Sequence, residues 1–283
     1  MTTATMKRIG AQQLATLAEQ LDTVDRYLLE LIDVHRYATT RQLAGLVNLS
    51  HAYASARSAL RQTARRLSRH RSLGLVDHLA RRIGGVRAGS SGFVWHLTEP
   101  GHRLLHPGSG RRRHSEPSIT FLGHTLAITE ARLVIQQTLE QAGGELVLLR
   151  TEPDCWRSWL GPGSGTRWLK PDLEVIAQAA DCQEDHWLIE VDLDTENPAR
   201  LLATCHRYHD HLRSGSEQAE LGYYPQVLWL CNQPRRASWL SEHIAADAGL
   251  LDELFIVVGS EDELQEVVRG ERTTLTQKDD GGN

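Results

Sequence analysis

At 283 residues, 40% hydrophobic and 24% charged, the chain has enough length for one or two domains and a sizeable core, and no apolar run long enough for a membrane span or a signal peptide. Its four cysteines, Cys155, Cys182, Cys205 and Cys231, stand more than twenty residues apart with no CxxC pair, which argues against a disulfide framework or zinc knuckle and for a reduced, cytoplasmic protein. The net charge of -5 divides unevenly: residues 1–115 hold 18 Lys and Arg against 7 Asp and Glu, and the remainder holds 13 against 29.

A basic N-terminal part suits a polyanion such as DNA, although a solvated basic surface has the same composition. The first twenty residues are expected as a flexible arm with helical potential from Gln12. Asp22 is placed to cap a helix from Thr23 to Arg36, whose Val24, Leu28, Leu31 and Ile32 follow helical spacing. Thr39 or Thr40 caps the next helix, with Leu43, Leu46 and Val47 as its buried stripe. Ser50 is expected to open a third helix, running to about His70 and rich in arginine. Strands around Leu73–Asp77 and Phe93–Thr98 flank a Gly-rich turn, and Glu99–Leu105 closes the unit.

Three helices followed by a β-hairpin predict a winged helix-turn-helix over residues 21–106. Such a domain presents cations and short polar side chains on its recognition helix, which here picks out Ser50, His51, Tyr53, Arg57, Arg61 and Arg65. Arg41 on the preceding helix and Arg81, Arg82 and Arg87 in the wing complete the expected DNA-binding set. Residues 107–117, with Arg111–Arg113, read as a linker.

Residues 118–272 alternate helix and strand in the order α-β-β-β-α-β-α-β, which predicts a mixed sheet flanked by helices, and residues 273–283 read as a disordered tail. The fold class is therefore α/β, or α+β over the whole chain. Two short apolar strands with acids at their ends stand out, Lys170–Ile176 and Trp187–Asp192, joined by the acidic turn Ala179–Asp185. Carboxylates at the ends of paired strands can converge on one divalent metal. Glu190 and Asp192 are two apart and project from one face. The competing reading is a set of exposed strand-end acids, and capping of the helix at Pro198 is preferred for Asp194 and Thr195. His206, His209 and His211 follow Cys205 on one predicted helix; His206 and His209, at i, i+3, share a face and could ligate zinc, but the three read better as the polar face of an amphipathic helix. Trp156, Trp159 and Trp168 can stack on unpaired bases or pack a core.

With these pieces in order, the chain resembles the replication-relaxation family of actinobacterial and other Gram-positive plasmids and integrative elements. The likeness rests on the N-terminal helices, His124–Glu130, Lys170-Pro171-Asp172, Ile189–Glu196 and Tyr208, over roughly residues 22–230. The second half also resembles the PD-(D/E)xK nuclease fold. That resemblance implies Asp172 and Glu190 as ligands of Mg²⁺ or Mn²⁺, with Glu130 as the acid of the first helix. The fold's lysine position is occupied by Asp192, an acid that some restriction enzymes tolerate there and that can serve as a further metal ligand. Lys170, two residues before Asp172, is the candidate substitute for the lysine.

The expected function is that of a sequence-specific, double-stranded DNA-binding accessory protein in plasmid or mobile-element replication, relaxation or transfer. DNA binding itself calls for no cofactor. A relaxase or replication protein is the expected partner, a homodimer is compatible, and no membrane is involved. The alternatives are a Mg²⁺- or Mn²⁺-dependent endonuclease and a winged-helix transcriptional regulator.

Overall fold

The computed structural model describes residues 9–79, 92–109, 117–161, 163 and 165–271. The chain forms a mixed α/β structure of two compact units, residues 1–133 and 134–283.

The N-terminal unit begins with α1 (Ala11–Glu19), whose Leu14 is buried in the core of the unit. The expectation of a loose arm missed this contact, which the apolar pair Leu14 and Leu17 supplies. Helix α2 (Thr23–His35) starts where Asp22 accepts a hydrogen bond from Asp25 N at 2.7 Å. After β1 (Ala38–Thr39), helix α3 (Thr40–His51) opens with a reciprocal capping box: Thr39 N donates to Gln42 Oε1 and Gln42 N donates to Thr39 Oγ1. The amide of Gln42 also donates to Leu126 O and Glu130 Oε2.

Helix α4 (Ala56–Ser72) is capped by Ser55, which accepts from Ser58 N. It therefore starts five residues later than the sequence suggested. Ser50 and His51 form the last turn of α3, which ends where Ala52 turns left-handed at φ 33. Strands β2 (Val76–His78) and β3 (Val94–Leu97) pair antiparallel, and β1 joins the other edge of β3. Helix α5 (Glu99–Leu105) follows at once, capped by Thr98. Leu28, Leu29, Leu31, Ile32, Leu43, Leu46 and Leu67 fill the core, as the helical periodicity requires.

Helix α6 (Ile119–Ala142) begins in the N-terminal unit and ends in the C-terminal one. The latter is built on a five-stranded sheet of order β10-β9-β8-β7-β4. Strands β4 (Glu145–Thr151), β7 (Leu173–Gln178) and β8 (Glu184–Asp192) pair antiparallel, whereas β8, β9 (Gln226–Cys231) and β10 (Phe255–Val258) run parallel. Helices α7 (Pro198–Ser214), α8 (Ser216–Leu221), α9 (Pro234–Ala246) and α10 (Glu261–Val268) complete it. Between β4 and β7, β5 (Arg157–Leu160) pairs antiparallel with β6 (Thr166–Leu169) as a separate two-stranded sheet. Leu188, Tyr208, Val227, Trp229, Leu240 and Phe255 form one core layer, and the alternate residues Leu173, Val175, Trp187, Ile189 and Ile256 are buried as well. Burial on both faces explains why these strands read as continuous apolar runs.

Candidate functional site

Two places in the fold concentrate charge. The first is the outer face of α4. Arg57, Arg61 and Arg65 are spaced one turn apart and all three are exposed. None of them forms an ion pair with a described residue. The neighbouring arginine row does the opposite. Arg66 donates to Asp22 and to Asp25, the latter at 2.6 Å, and Arg69 donates to Asp25 at 2.9 Å. Asp25 on α2 is fully buried, so these bonds fix which face of α4 turns outward. His70 Nε2 lies 3.1 Å from Asp25 but off the hydrogen-bond direction, and burial holds that imidazole below its usual pKa.

The remaining residues expected to contact DNA divide between elements. Arg41 is exposed in the first turn of α3. Ser50 donates to the Tyr27 hydroxyl at 2.8 Å, the His51 ring leans on the Tyr27 ring, and Tyr53 packs on the core. Arg81, Arg82 and Arg87, with Arg111–Arg113 of the linker and the tail beyond 271, lie outside the described residues.

The second place is the junction of β7 and β8. Extending the Leu173–Ile189 and Glu174–Leu188 register by one residue sets Asp172 opposite Glu190 on the same face. Asp172 Oδ2 accepts from Val191 N at 2.8 Å, and Glu190 Oε1 accepts from the hydroxyl of the fully buried Tyr208 on α7 at 2.7 Å. Burial, and after it the charge of Asp172, pushes the Glu190 carboxyl well above the usual carboxylate range. Glu190 forms no ion pair with a described residue.

The other acids on this face have guanidinium partners. Glu174, two residues beyond Asp172, accepts from Arg157 at 2.6 Å, His186 at 2.9 Å and Arg150 at 3.2 Å. Burial raises its carboxyl, but the bonds from His186 and Arg157 more than offset this and hold it at about 2. Asp192 accepts from Arg236 Nε on α9 at 2.6 Å and from Asp194 N at 3.1 Å. Arg236 also donates to Glu196 O. Position 192 thus carries an acid with a guanidinium fixed against it, and Arg236 was not visible beforehand because it is 44 residues away in sequence.

Lys170 does not share a strand with Asp172. Strand β6 ends at Leu169, β7 starts at Leu173, and the Lys170 ammonium sits 4.1 Å from the centre of the Trp156 ring. Glu130 belongs to the N-terminal unit and bonds Gln42. Asn197, not Asp194 or Thr195, caps α7 by accepting from Ala199 N. His206 pairs with Asp247 whereas His211 is buried against Tyr224 and Trp159, so His206 and His211 do not converge. Trp159 is a core residue, while Trp168 is 51% exposed beside Trp156.

No helix among the described residues is long and apolar enough to cross a membrane. A family model described as replication-relaxation matches residues 29–227. No curated protein and no solved structure matches the chain.

Proposed function

Since the chain belongs to the replication-relaxation family, which points to plasmid or mobile-element replication or relaxation, we propose that it is a sequence-specific, double-stranded DNA-binding accessory protein of such an element. The helix order α2-α3-α4 followed by the β2–β3 pair is read as a winged helix-turn-helix with α4 as its recognition helix. The observation that carries this reading is the division of labour between the arginine rows of α4. Arg66 and Arg69 anchor the helix inward on Asp25, and that anchoring presents Arg57, Arg61 and Arg65 outward as a cationic stripe suited to phosphates. Arg41 and the wing arginines Arg81, Arg82 and Arg87 extend the same surface in this reading. A relaxase or replication protein remains the natural partner, with the C-terminal unit as its contact.

The test is a salt titration of binding to the element's own origin DNA. The double variant Arg57→Ala/Arg61→Ala should bind more weakly and lower the slope of log K against log salt by about 2. An unchanged slope removes α4 from the interface.

A second reading, a Mg²⁺- or Mn²⁺-dependent endonuclease of the PD-(D/E)xK type, is favoured by one observation. Glu174 and Asp192 have guanidinium partners, while Glu190, facing Asp172, is half-buried and accepts from a tyrosine hydroxyl. Two facing carboxylates fit a hard divalent cation that keeps several waters. Asp172 and Glu190 would hold that ion, and the ion would activate water for attack on phosphate. The pairing of Asp192 with Arg236 counts against a third ligand there, and Lys170 reaches Trp156 instead of the acids. Nicking of supercoiled origin plasmid by the wild type with Mn²⁺, abolished in Asp172→Asn/Glu190→Gln, would establish this reading. Intact plasmid beside retained binding leaves the accessory role.

A further inference from the structure

We propose that Asp33, His102 and His106 form a zinc-binding site in the N-terminal unit. Asp33 comes from the last turns of α2, His102 from α5, and His106 from the residue that ends α5. His102 and His106 are one helical turn apart, and His106 N donates to His102 O at 2.9 Å, so that turn is formed. Their rings lie side by side with centroids 4.6 Å apart. One donor atom from each of the three side chains lies within 4.8 Å of the other two, and among the described residues no other group of three His, Cys, Asp or Glu does so.

The donor chemistry selects the ion. Two imidazoles and one carboxylate suit Zn²⁺, whereas Mg²⁺ and Ca²⁺ prefer oxygen throughout. Asp33 Oδ2 and His106 Nε2 are 2.5 Å apart, joined by a hydrogen bond. Donors of a tetrahedral zinc stand about 3.3 Å apart, given bonds of about 2.0 Å. An entering ion replaces that hydrogen bond and parts the pair by under about 1 Å, well within side-chain freedom. His106 is 48% exposed, which provides an entry path and leaves a fourth position to water. Ser109 Oγ lies 3.3 Å from His102 Nδ1, an outer contact of the kind that orients a ligating imidazole. The ion would staple α2 to α5, the last helix before residue 107, and would bind only the folded unit. The site shares no residue with Asp172 and Glu190.

The full chain, stripped with EDTA and desalted, is titrated with ZnCl₂ by calorimetry at pH 7.5, with melts in parallel and Co²⁺ as a spectroscopic probe. About one zinc ion per chain should bind with micromolar or tighter Kd, Tm should rise by several degrees, and Co²⁺ should show the intense visible bands of a tetrahedral site. His106→Ala and Asp33→Asn should each weaken zinc at least tenfold while melting close to the metal-free wild type. Asp172→Asn/Glu190→Gln should leave zinc binding intact. Absence of binding below about 100 µM zinc overturns the proposal, as does equal binding by His106→Ala and Asp33→Asn. If either variant melts lower, the Co²⁺ spectrum of the wild type decides: weak octahedral bands mean there is no such site.

Discussion

Asp25 and Glu190 are both carboxylic acids, and their surroundings give them opposite roles. Asp25 is fully buried but receives bonds from two arginines, so it acts as the anchor of α4. Its truncation to Ala leaves Arg66 with Asp22 alone and takes from Arg69 its carboxylate partner. The expected loss is roughly 2–4 kcal/mol, at the low end for a broken buried pair because Arg66 and Arg69 reach solvent. A urea melt of Asp25→Ala checks it. An unchanged midpoint would mean that α4 is held by its apolar side alone. Glu190 lacks such partners, and its raised pKa means that the folded chain holds this proton more tightly than the unfolded chain. The stability it supports is complete below its ordinary pKa of 4.5 and is lost as pH rises toward the folded value. Glu190→Gln keeps an acceptor for Tyr208 and removes the ionisation. It should melt like the wild type near pH 4 and above it near pH 8. A variant less stable at both values would show that the carboxylate is needed as an ion.

At the scale of elements, close approach matters more than propensity. Helix α5 lies so near β2 that a Cβ at Gly101 would stand 2.0 Å from the carbonyl oxygen of Leu75. That oxygen already accepts from the Thr98 backbone and hydroxyl, so it cannot withdraw without losing the bonds that hold Thr98, the residue capping α5. Gly101→Ala should destabilise the N-terminal unit by about 2 kcal/mol or more, although Ala favours a helix by roughly 1 kcal/mol. Thermal melts decide between these two effects, and a stabilised variant would mean that α5 moves freely. The spacing of Leu97, Thr98 and Gly101 was visible in the sequence. Its reason, a helix seated on a carbonyl, was not.

At the scale of the molecule, the pH response of the N-terminal unit follows from its buried histidines. His35 is 3% exposed, and its Nε2 accepts from Arg132 at 3.0 Å. Burial, and then the positive charge of Arg132, lowers its pKa from 6.5 to about 3. Unfolding therefore takes up a proton, and stability present above pH 6.5 is lost as pH falls toward 3. The slope approaches about 1.4 kcal/mol per pH unit for this one proton. His70 adds to it in the same direction. Hydrogen exchange at pH 5 and 7.5 should show α2 losing protection at the lower value. In His35→Gln, which retains an acceptor for Arg132, that loss should shrink, and an identical loss would place the acid sensitivity elsewhere.

The sequence by itself determined the elements and the division of charge. Helical and strand periodicity, the Asp22 and Thr39 caps and the apolar runs of β9 and β10 are set by neighbours within a few residues, so they could be read locally. The family could be read as well, from the order of short motifs. Where two local signals competed, the reading slipped. Ser50 and Ser55 both have the chemistry of a cap, and the left-handed turn at Ala52 chose Ser55. Tertiary structure alone decided which charges are already paired. Arg66 meets Asp25 across 41 residues, Arg236 meets Asp192 across 44, and Asp33 meets His106 across 73. An arginine in a helix pattern looks the same whether it anchors or awaits a ligand. Only the packing of the other elements determines whether an opposite charge lies within hydrogen-bond reach.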